Sequence, residues 1–484
     1  MNTVKAVCLA LVLMIAVSLC SCVVAPVPSG TAESDTAFGK TEKMTQEASD
    51  GDAAPVSEPQ SDTAHGETGE MTQTASVEET APAGEPQSVT TEEAPRIRAT
   101  DLMTEARKNA VQPTPGSPTV DPASADKITD FALRLFRTCD DGDESLLISP
   151  LSVLSALGMT ELGAEGETLS QMEEALGISV GETRDYLKAV ASKLRSDSSL
   201  RSANSLWLRD DPLLTVRESY LAANAGLLDG DVFKAPFDDG TVEDINSWVK
   251  DRTQDRIPKI LENLSPDAVV CLINALSFDA EWALPCHGTS EGIFTAEDGS
   301  KKKCDFMSST EYKYIKTDKA SGFIKPYRGN KYAFAALLPD EGVSVKELMD
   351  FLKGEDLREL LKNFESATVY AKLPKFESGS DIELSDALKS MGMTDAFDPD
   401  LADLSGIGTY DGWGLFVSRV IHKTFISVNE IGTTAGAATA VELVPGSAQP
   451  QNPKTVTLDR PFVYMIFDTE TFVPVFIGAL RDVK

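Results

Sequence analysis

The segment Val428-Asn-Glu-Ile-Gly-Thr-Thr-Ala-Gly-Ala-Ala-Thr-Ala-Val-Glu-Leu-Val-Pro-Gly-Ser-Ala448 is the most informative part of this 484-residue sequence. Small, uncharged side chains dominate it, and no proline interrupts it before Pro445. Read from Thr433 onward with the two-residue period of a strand, one face carries only Glu442 as a charge and the other carries none. The uncharged face consists of Thr433, Ala435, Ala437, Thr439, Val441 and Leu443. Because alanine and glycine are poor strand formers, the segment suits an external loop that can later join a sheet.

Two motifs around this segment carry a family resemblance. Glu430-Ile-Gly-Thr-Thr-Ala-Gly-Ala-Ala438 resembles the hinge of inhibitory serpins, and Val456-Thr-Leu-Asp-Arg-Pro-Phe-Val-Tyr-Met-Ile466 resembles the serpin C-terminal signature. The resemblance covers residues 125–484 and implies an α+β fold with three β-sheets, about eight or nine helices and an exposed reactive-centre loop. The residue patterns agree, because helical and strand periodicities occur there without regular βαβ alternation.

The resemblance also assigns roles to single residues. The hinge would comprise Glu430, Gly432, Thr433, Thr434, Ala435, Gly436, Ala437 and Ala438, with Gly432 and Thr433 as its pivot. The "shutter" beneath the central sheet would comprise Ser149, Ser152, Asn274 and His422, and Trp282 would mark the "breach" where insertion begins. From the residues alone, His422 and Trp282 are equally interpretable as ordinary core side chains.

The reactive bond predicted by serpin spacing is Gly446–Ser447, with cleavage after Val444, Ser447 or Ala448 as alternatives. The resemblance implies a suicide inhibitor: a protease cleaves the loop as a substrate, and the loop then inserts into the sheet with the acyl-enzyme attached. Small residues near the bond predict elastase-like or subtilisin-like serine proteases as covalent partners, with papain-like cysteine proteases as an alternative. The competing hypotheses are a non-inhibitory serpin-fold surface binding protein and, from the linker alone, a stalked adhesin.

Composition and missing motifs argue against other function classes. The net charge of −32 disfavours nucleic acid and other polyanionic partners. Three histidines leave little material for a metal site, and the common catalytic and phosphate-binding motifs are absent, so we expect neither an enzyme nor a cofactor. We expect a monomer. Among the cysteines that follow residue 124, Cys286 with Cys304 is the one candidate disulfide pair.

The N-terminal quarter reads as an export and spacer region. Residues 1–22 combine Lys5, an apolar run and Leu19-Cys20-Ser21-Cys22, which resembles a bacterial lipobox with Cys22 as the lipidated residue. Residues 23–124 are rich in Glu, Ser, Thr and Pro and contain an internal repeat, which predicts a disordered acidic linker before the domain at 125–484. We therefore expect an extracellular lipoprotein on a bacterial surface, held to the membrane by its lipid, or a secreted protein if the anchor is cleaved or absent.

Overall fold

The computed structural model describes residues 97–109, 120–194, 197–227, 230–265, 267–411, 414–433 and 452–483. The α-helices in these ranges are α1 (Met103–Asn109), α2 (Pro122–Cys139), α3 (Pro150–Glu161), α4 (Gly166–Leu176), α5 (Val180–Leu194), α6 (Glu218–Leu227), α7 (Asp239–Arg252), α8 (Val345–Phe351), α9 (Gly354–Lys362) and α10 (Ser385–Ser390). The strands in these ranges are β1 (Thr100–Asp101), β2 (Leu146–Ile148), β3 (Leu200–Arg209), β4 (Leu214–Val216), β5 (Asp231–Ala235), β6 (Val270–Phe278), β7 (Ala280–Glu281), β8 (Gly288–Thr295), β9 (Lys301–Lys316), β10 (Ala320–Pro326), β11 (Tyr332–Pro339), β12 (Glu365–Pro374), β13 (Phe376–Glu383), β14 (Gly408–Tyr410), β15 (Val417–Val428), β16 (Gly432–Thr433), β17 (Lys454–Thr457), β18 (Phe462–Asp468) and β19 (Pro474–Leu480).

The strands form three sheets, so the predicted α+β class with three β-sheets is confirmed. An eight-stranded sheet, here called the central sheet, has the order β1-β5-β3-β6-β15-β16-β7, with β13 paired to the other side of β15. A nine-stranded sheet runs β17-β12-β9-β10-β11-β18-β19-β2 with β8 on β9, and β14 pairs with β4. Nine of the helices in the described ranges begin at Pro122 or later, and α1 is additional to them.

The centre of the central sheet is the parallel pair β6–β15. Every residue of β6 is buried, as expected for a strand that is covered on both faces. In this pair His422 lies opposite Asn274 and Phe425 lies opposite Ser277. Beyond the end of this pairing, the two-residue strands β16 and β7 occupy the same region of the sheet, β16 beside β15 and β7 beside β16. Strands β6 and β15 are therefore paired directly up to Ser277 and Phe425. Beyond that point the short strand β16 lies between β15 and β7.

Helix α3 covers one face of this central pair. Ser149 caps its N-terminus by accepting a hydrogen bond from the Ser152 N–H, and Pro150 occupies the first turn, where its missing N–H is harmless. Almost all of α3 is buried because it packs against β3, β6 and β19. The cap therefore places two serine side chains directly under the sheet. On the opposite face, Trp248 of α7 packs edge-on against Trp207 of β3.

The predicted linker of residues 23–124 differs from the structure at its C-terminal end. Within it, β1 pairs antiparallel with β5, with Thr100 opposite Lys234, and thereby extends the central sheet. Helix α1 follows and packs on α6, while Arg107 forms an ion pair of 2.5 Å with the buried carboxylate of Asp231. Composition indicated disorder because the apolar residues here are few, but a β-edge and a buried charge supply partners that composition does not show.

The structure excludes a Cys286–Cys304 disulfide. Gly292 of β8 lies opposite Cys304 of β9, and Gly288 lies opposite Ser308. Cys286 precedes Gly288 by two residues, so the two cysteines lie about six residues apart along the strands, roughly 20 Å. A disulfide requires Cα atoms within about 7 Å. Both thiols are free, and burial raises the pKa of Cys286 to about 11.

The described residues show neither a membrane-spanning helix nor a metal site. None of their helices combines the length and the apolar character needed to cross a membrane. Nor do they contain a group of His, Cys, Asp and Glu side chains placed to hold a metal ion.

Candidate functional site: the hinge and the centre of the sheet

The hinge begins with a tight turn between β15 and β16, here called the hinge turn (residues 429–432). The Asn429 N–H donates to the Gly432 carbonyl at 2.9 Å, and the Asn429 side-chain oxygen accepts from the N–H groups of Ile431 and Gly432. Asparagine commonly folds a turn in this way. A Cβ on Gly432 would lie only 2.2 Å from the Ala280 carbonyl oxygen, so glycine is required for this close approach.

The carbonyl groups of the hinge turn are held by one neighbouring segment, residues 282–286, here called the anchor segment. The Trp282 indole N–H donates to the Asn429 carbonyl at 2.9 Å, and the Trp282 backbone N–H donates to the Ile431 carbonyl at 2.7 Å. The Cys286 N–H donates to the Glu430 carbonyl at 2.9 Å. Three successive carbonyl groups of the turn are thus fixed by a single short stretch of chain.

Gly432 and Thr433 were predicted within an exposed loop, and the structure corrects this. They form β16, in which Thr433 lies opposite Val428 of β15 and opposite Ala280 of β7. Thr433 is fully buried, and its hydroxyl lies 2.5 Å from that of Tyr327. The Tyr327 ring stacks on Trp282 with centroids 4.4 Å apart. The first residues of the loop are already strand because both their backbone and their hydroxyl find partners there.

Glu430 lies on the outer side of the hinge turn. Its carboxylate accepts from Lys375 at 3.1 Å and from the Thr289 hydroxyl at 3.2 Å. Burial raises the pKa of Glu430, but the hydrogen bond from its own backbone N–H and the contact with Lys375 outweigh burial and leave the pKa below its usual value. The carboxylate is therefore charged at neutral pH and joins the turn to the start of β13.

All four predicted shutter residues meet beneath the central pair of strands. The Ser149 N–H donates to His422 Nε2 at 3.0 Å, and His422 Nδ1 lies 2.5 Å from Asn274 Oδ1. The Ser152 hydroxyl donates to the same Asn274 oxygen at 3.2 Å, and the Ser149 hydroxyl donates to the Val475 carbonyl. The network crosses the line along which β6 and β15 would separate.

These contacts define the protonation state of His422. Because Nε2 accepts from a backbone N–H, the proton resides on Nδ1, which donates to Asn274. Burial lowers the pKa of His422 to about 3, so the ring is neutral at physiological pH. Both ring nitrogens are occupied by hydrogen bonds, which fits a structural hydrogen-bonding role for this histidine.

Three residues of the site were not predicted from the sequence. Asn429 forms the turn, and its position three residues before Gly432 is a readable turn signal. Tyr327 directly follows β10 and holds Thr433, but no local pattern marks it. Asn204 of β3 lies opposite Asn274 on β6, and its side-chain oxygen and the Asn274 side-chain nitrogen are buried without partners among the described residues. A polar residue in a buried strand was the signal for Asn204.

The remaining predicted residues cannot be placed. The reactive bond Gly446–Ser447, the hinge residues Thr434, Ala435, Gly436, Ala437 and Ala438, and the lipidation residue Cys22 lie outside the described residues.

Comparisons with known proteins agree with this geometry. The family model for serpins, described as serine protease inhibitors, matches residues 126–483. The leukocyte elastase inhibitor of Equus caballus is 32% identical over 380 residues, which cover 73% of this chain and 98% of that protein. The crystal structure of the thermophilic serpin tengpin in its native state is 42% identical, covers 80% of this chain and all of the other, and has a TM-score of 0.74. For tengpin in its latent state the identity is 40%, the coverage is 76% and 100%, and the TM-score is 0.67.

Proposed function

This chain belongs to the serpin family, and we propose that it inhibits serine proteases by inserting its cleaved loop into the central sheet while the protease remains attached. The observation that carries the proposal is β16, because its two residues already occupy the first positions of the strand that insertion would extend. The TM-score of this chain with native tengpin is higher than its TM-score with latent tengpin, which supports an uninserted starting state.

The two registers of β16 predict where the rest of the loop would lie. Thr433 lies opposite Val428 on one side and Ala280 on the other. Continuing both pairings residue by residue brings Thr439 opposite His422 on one side and opposite Asn274 on the other. Those two residues already face each other across β15 and β6, so the registers on the two sides are mutually consistent. The loop strand would fit the line between β6 and β15 without a bulge.

This register gives Thr439 a specific role. Insertion separates His422 from Asn274 and breaks their hydrogen bond, which would leave the buried His422 Nδ1–H without an acceptor and Asn274 Oδ1 with one donor fewer. The hydroxyl of Thr439 can accept from His422 Nδ1 and donate to Asn274 Oδ1, because a hydroxyl both donates and accepts. His422 Nδ1 and Asn274 Oδ1 would thus be hydrogen-bonded before and after insertion. The same register brings Glu442, the one charge of the inserted strand, opposite Arg419 on the other face.

The chemistry belongs to the target protease. Its serine attacks the carbonyl of the reactive bond, for which we propose Gly446–Ser447, and the new amino terminus at Ser447 leaves. The ester then links the protease to the carbonyl of Gly446. An inserted strand of about 12 residues carries that ester roughly 40 Å down the sheet, which distorts the protease before water can hydrolyse the bond.

We propose elastase-like or subtilisin-like serine proteases as targets, with papain-like cysteine proteases as an alternative. The residues Leu443-Val-Pro-Gly-Ser-Ala448 contain no Arg or Lys for a trypsin-like pocket and no aromatic residue for a chymotrypsin-like pocket. The name of the horse relative points in the same direction.

One experiment tests the inhibitory proposal. The purified protein is incubated with elastase, subtilisin, trypsin and papain, and complexes that survive SDS are identified by mass spectrometry. Thermal melts are recorded before and after a single cut in the loop. We expect a complex with elastase or subtilisin and a large rise in melting temperature after cleavage. If no complex forms and the two melts coincide, the chain is a non-inhibitory binding protein of the same fold.

We also propose that Cys22 is lipidated and that residues 23–96 space the domain away from a bacterial membrane. The support is the sequence Leu19-Cys20-Ser21-Cys22 and the composition of the linker. Metabolic labelling with palmitate in a bacterial host should label the wild type, and Cys22→Ala should remain unlabelled. Labelling of the alanine variant would refute the assignment of this cysteine.

A further inference from the structure

A buried ion pair lies directly behind the anchor segment. Lys325 of β10 and Glu311 of β9 have side chains that are 1% and 3% exposed, and Lys325 Nζ lies 2.7 Å from Glu311 Oε1. The Ser309 hydroxyl donates to the same carboxylate oxygen. Removing two charges from water is unfavourable unless the geometry repays it, and apolar residues of similar size are often as stable. Packing alone therefore does not explain why a charged pair occupies this position.

The ammonium group of Lys325 has two further contacts, both with the anchor segment. It donates to the Leu284 carbonyl at 2.8 Å, and it lies 5.2 Å from the centre of the Trp282 ring, within cation–π range. An ammonium group has three N–H donors. The carboxylate, the carbonyl and the indole face therefore account for all three directions.

The anchor segment is held on two sides. On the side of β10, the Ala283 N–H donates to the Pro326 carbonyl at 2.9 Å, in addition to the Lys325–Leu284 hydrogen bond. On the other side, Trp282 and Cys286 donate three N–H groups to the carbonyls of the hinge turn. A shift of the Leu284 carbonyl or of the indole would displace these donors, because they belong to the same five residues.

We propose that Lys325, held by Glu311, is a positioning residue for loop insertion: it keeps the anchor segment where its N–H groups fix the hinge turn in the register of β16. This inference rests on the proposed inhibitory function for its consequence, and on the contacts alone for its mechanism. Without the pair the fold would persist, but the turn would be less ordered. Insertion would then start more slowly, and more acyl-enzyme would hydrolyse before it is trapped.

The test uses Lys325→Met combined with Glu311→Leu, so that neither charge is left buried alone. Amide hydrogen exchange at Trp282 and Cys286 measures the hinge contacts directly. We expect exchange about tenfold faster than in the wild type, the loss that corresponds to one charge-assisted hydrogen bond. The stoichiometry of inhibition should rise about threefold or more, and the melting temperature should change little. Lys325→Arg alone, which retains the charge, should be closer to the wild type in hydrogen exchange and in stoichiometry of inhibition.

The matched control is another buried ion pair, Arg481–Asp140, which is 1% and 6% exposed and has no contact with the hinge turn among the described residues. Arg481→Met combined with Asp140→Leu should leave exchange at Trp282 and Cys286 unchanged. Unchanged exchange in the Lys325–Glu311 double variant would overturn the proposal. If the wild type traps no protease, the inhibitory function fails instead, while the exchange comparison still tests the positioning role.

Discussion

Thr433→Arg is the most direct test of the inserted hinge. The Thr433 side chain is fully buried against Tyr327, so arginine removes their hydrogen bond and places a guanidinium where no carboxylate among the described residues is in contact with it. Leaving the tyrosine hydroxyl unpaired costs about 1–3 kcal/mol, and an unpaired buried charge costs several kcal/mol more. The sum is about 5 kcal/mol. The intact protein can escape this cost if residue 433 leaves the sheet, whereas insertion must bury it again, so the cost offsets half of the roughly 10 kcal/mol that some ten new ladder hydrogen bonds would supply.

The expected result is a change from inhibitor to substrate. The protease should still cut the loop, but insertion should be slow enough for the ester to hydrolyse, since each ~1.4 kcal/mol added to a barrier slows a step tenfold. The assay is the stoichiometry of inhibition together with the yield of SDS-stable complex. The matched control is Thr434→Arg, because continuing the register of β16 would turn residue 434 to the other face, opposite Ser427 and near the carboxylate of Asp279. Equal, near-normal inhibition by both arginine variants would refute the predicted register.

The remaining predictions concern charge and the shutter. Burial raises the pKa of Glu161 from 4.5 to about 8, so its carboxyl contributes stability below pH 4.5 that is lost as pH rises through 8. In denaturant unfolding, Glu161→Gln should match the wild type at pH 4 and be a few kcal/mol more stable than the wild type at pH 9. Glu442→Arg should lower the stability of the cleaved protein by about 0.5–1 kcal/mol, and adding Arg419→Glu should restore it, as a double-mutant cycle on cleaved protein would show. His422→Ala removes one of the two hydrogen bonds to Asn274 Oδ1 and leaves the Ser149 N–H unpaired, so the intact protein should lose about 2–4 kcal/mol and convert faster to an inserted form on gentle heating. In the wild type the neutral His422 contributes stability above pH 6.5 that is lost as pH falls toward 3, so the variant should be less sensitive to acid between these values.

The sequence predicted those parts of the site that are encoded by motifs. The four shutter residues are far apart in the chain, yet they meet because parallel strands β6 and β15 align His422 with Asn274, and because the cap of α3 lies beneath them. For the hinge, the uncharged face predicted from the sequence agrees with the buried orientation of Thr433.

Other features depend on contacts that no local pattern contains. The burial of Thr433 depends on the hydroxyl of Tyr327, which directly follows β10 and is more than 100 residues away in the chain. Lys325 is visible in the sequence as a cation in an apolar strand, but no local pattern identifies Glu311 as its partner, because the β9–β10 pairing ends at Ile324–Lys313, one residue short of Lys325. The docking of residues 97–109 depends on an open strand edge that composition cannot reveal.

The agreement between the two registers of β16 has a consequence for how this loop can vary in length. Between Thr433 and Leu443, inserting or deleting one residue would reverse the facing of every side chain beyond it, bringing Glu442 into the core and Thr439 away from His422. After Leu443 no such constraint applies, since those residues need only connect to β17. Natural length differences among relatives should therefore concentrate on the C-terminal side of the loop, and designers who wish to retarget it have freedom there and almost none before it.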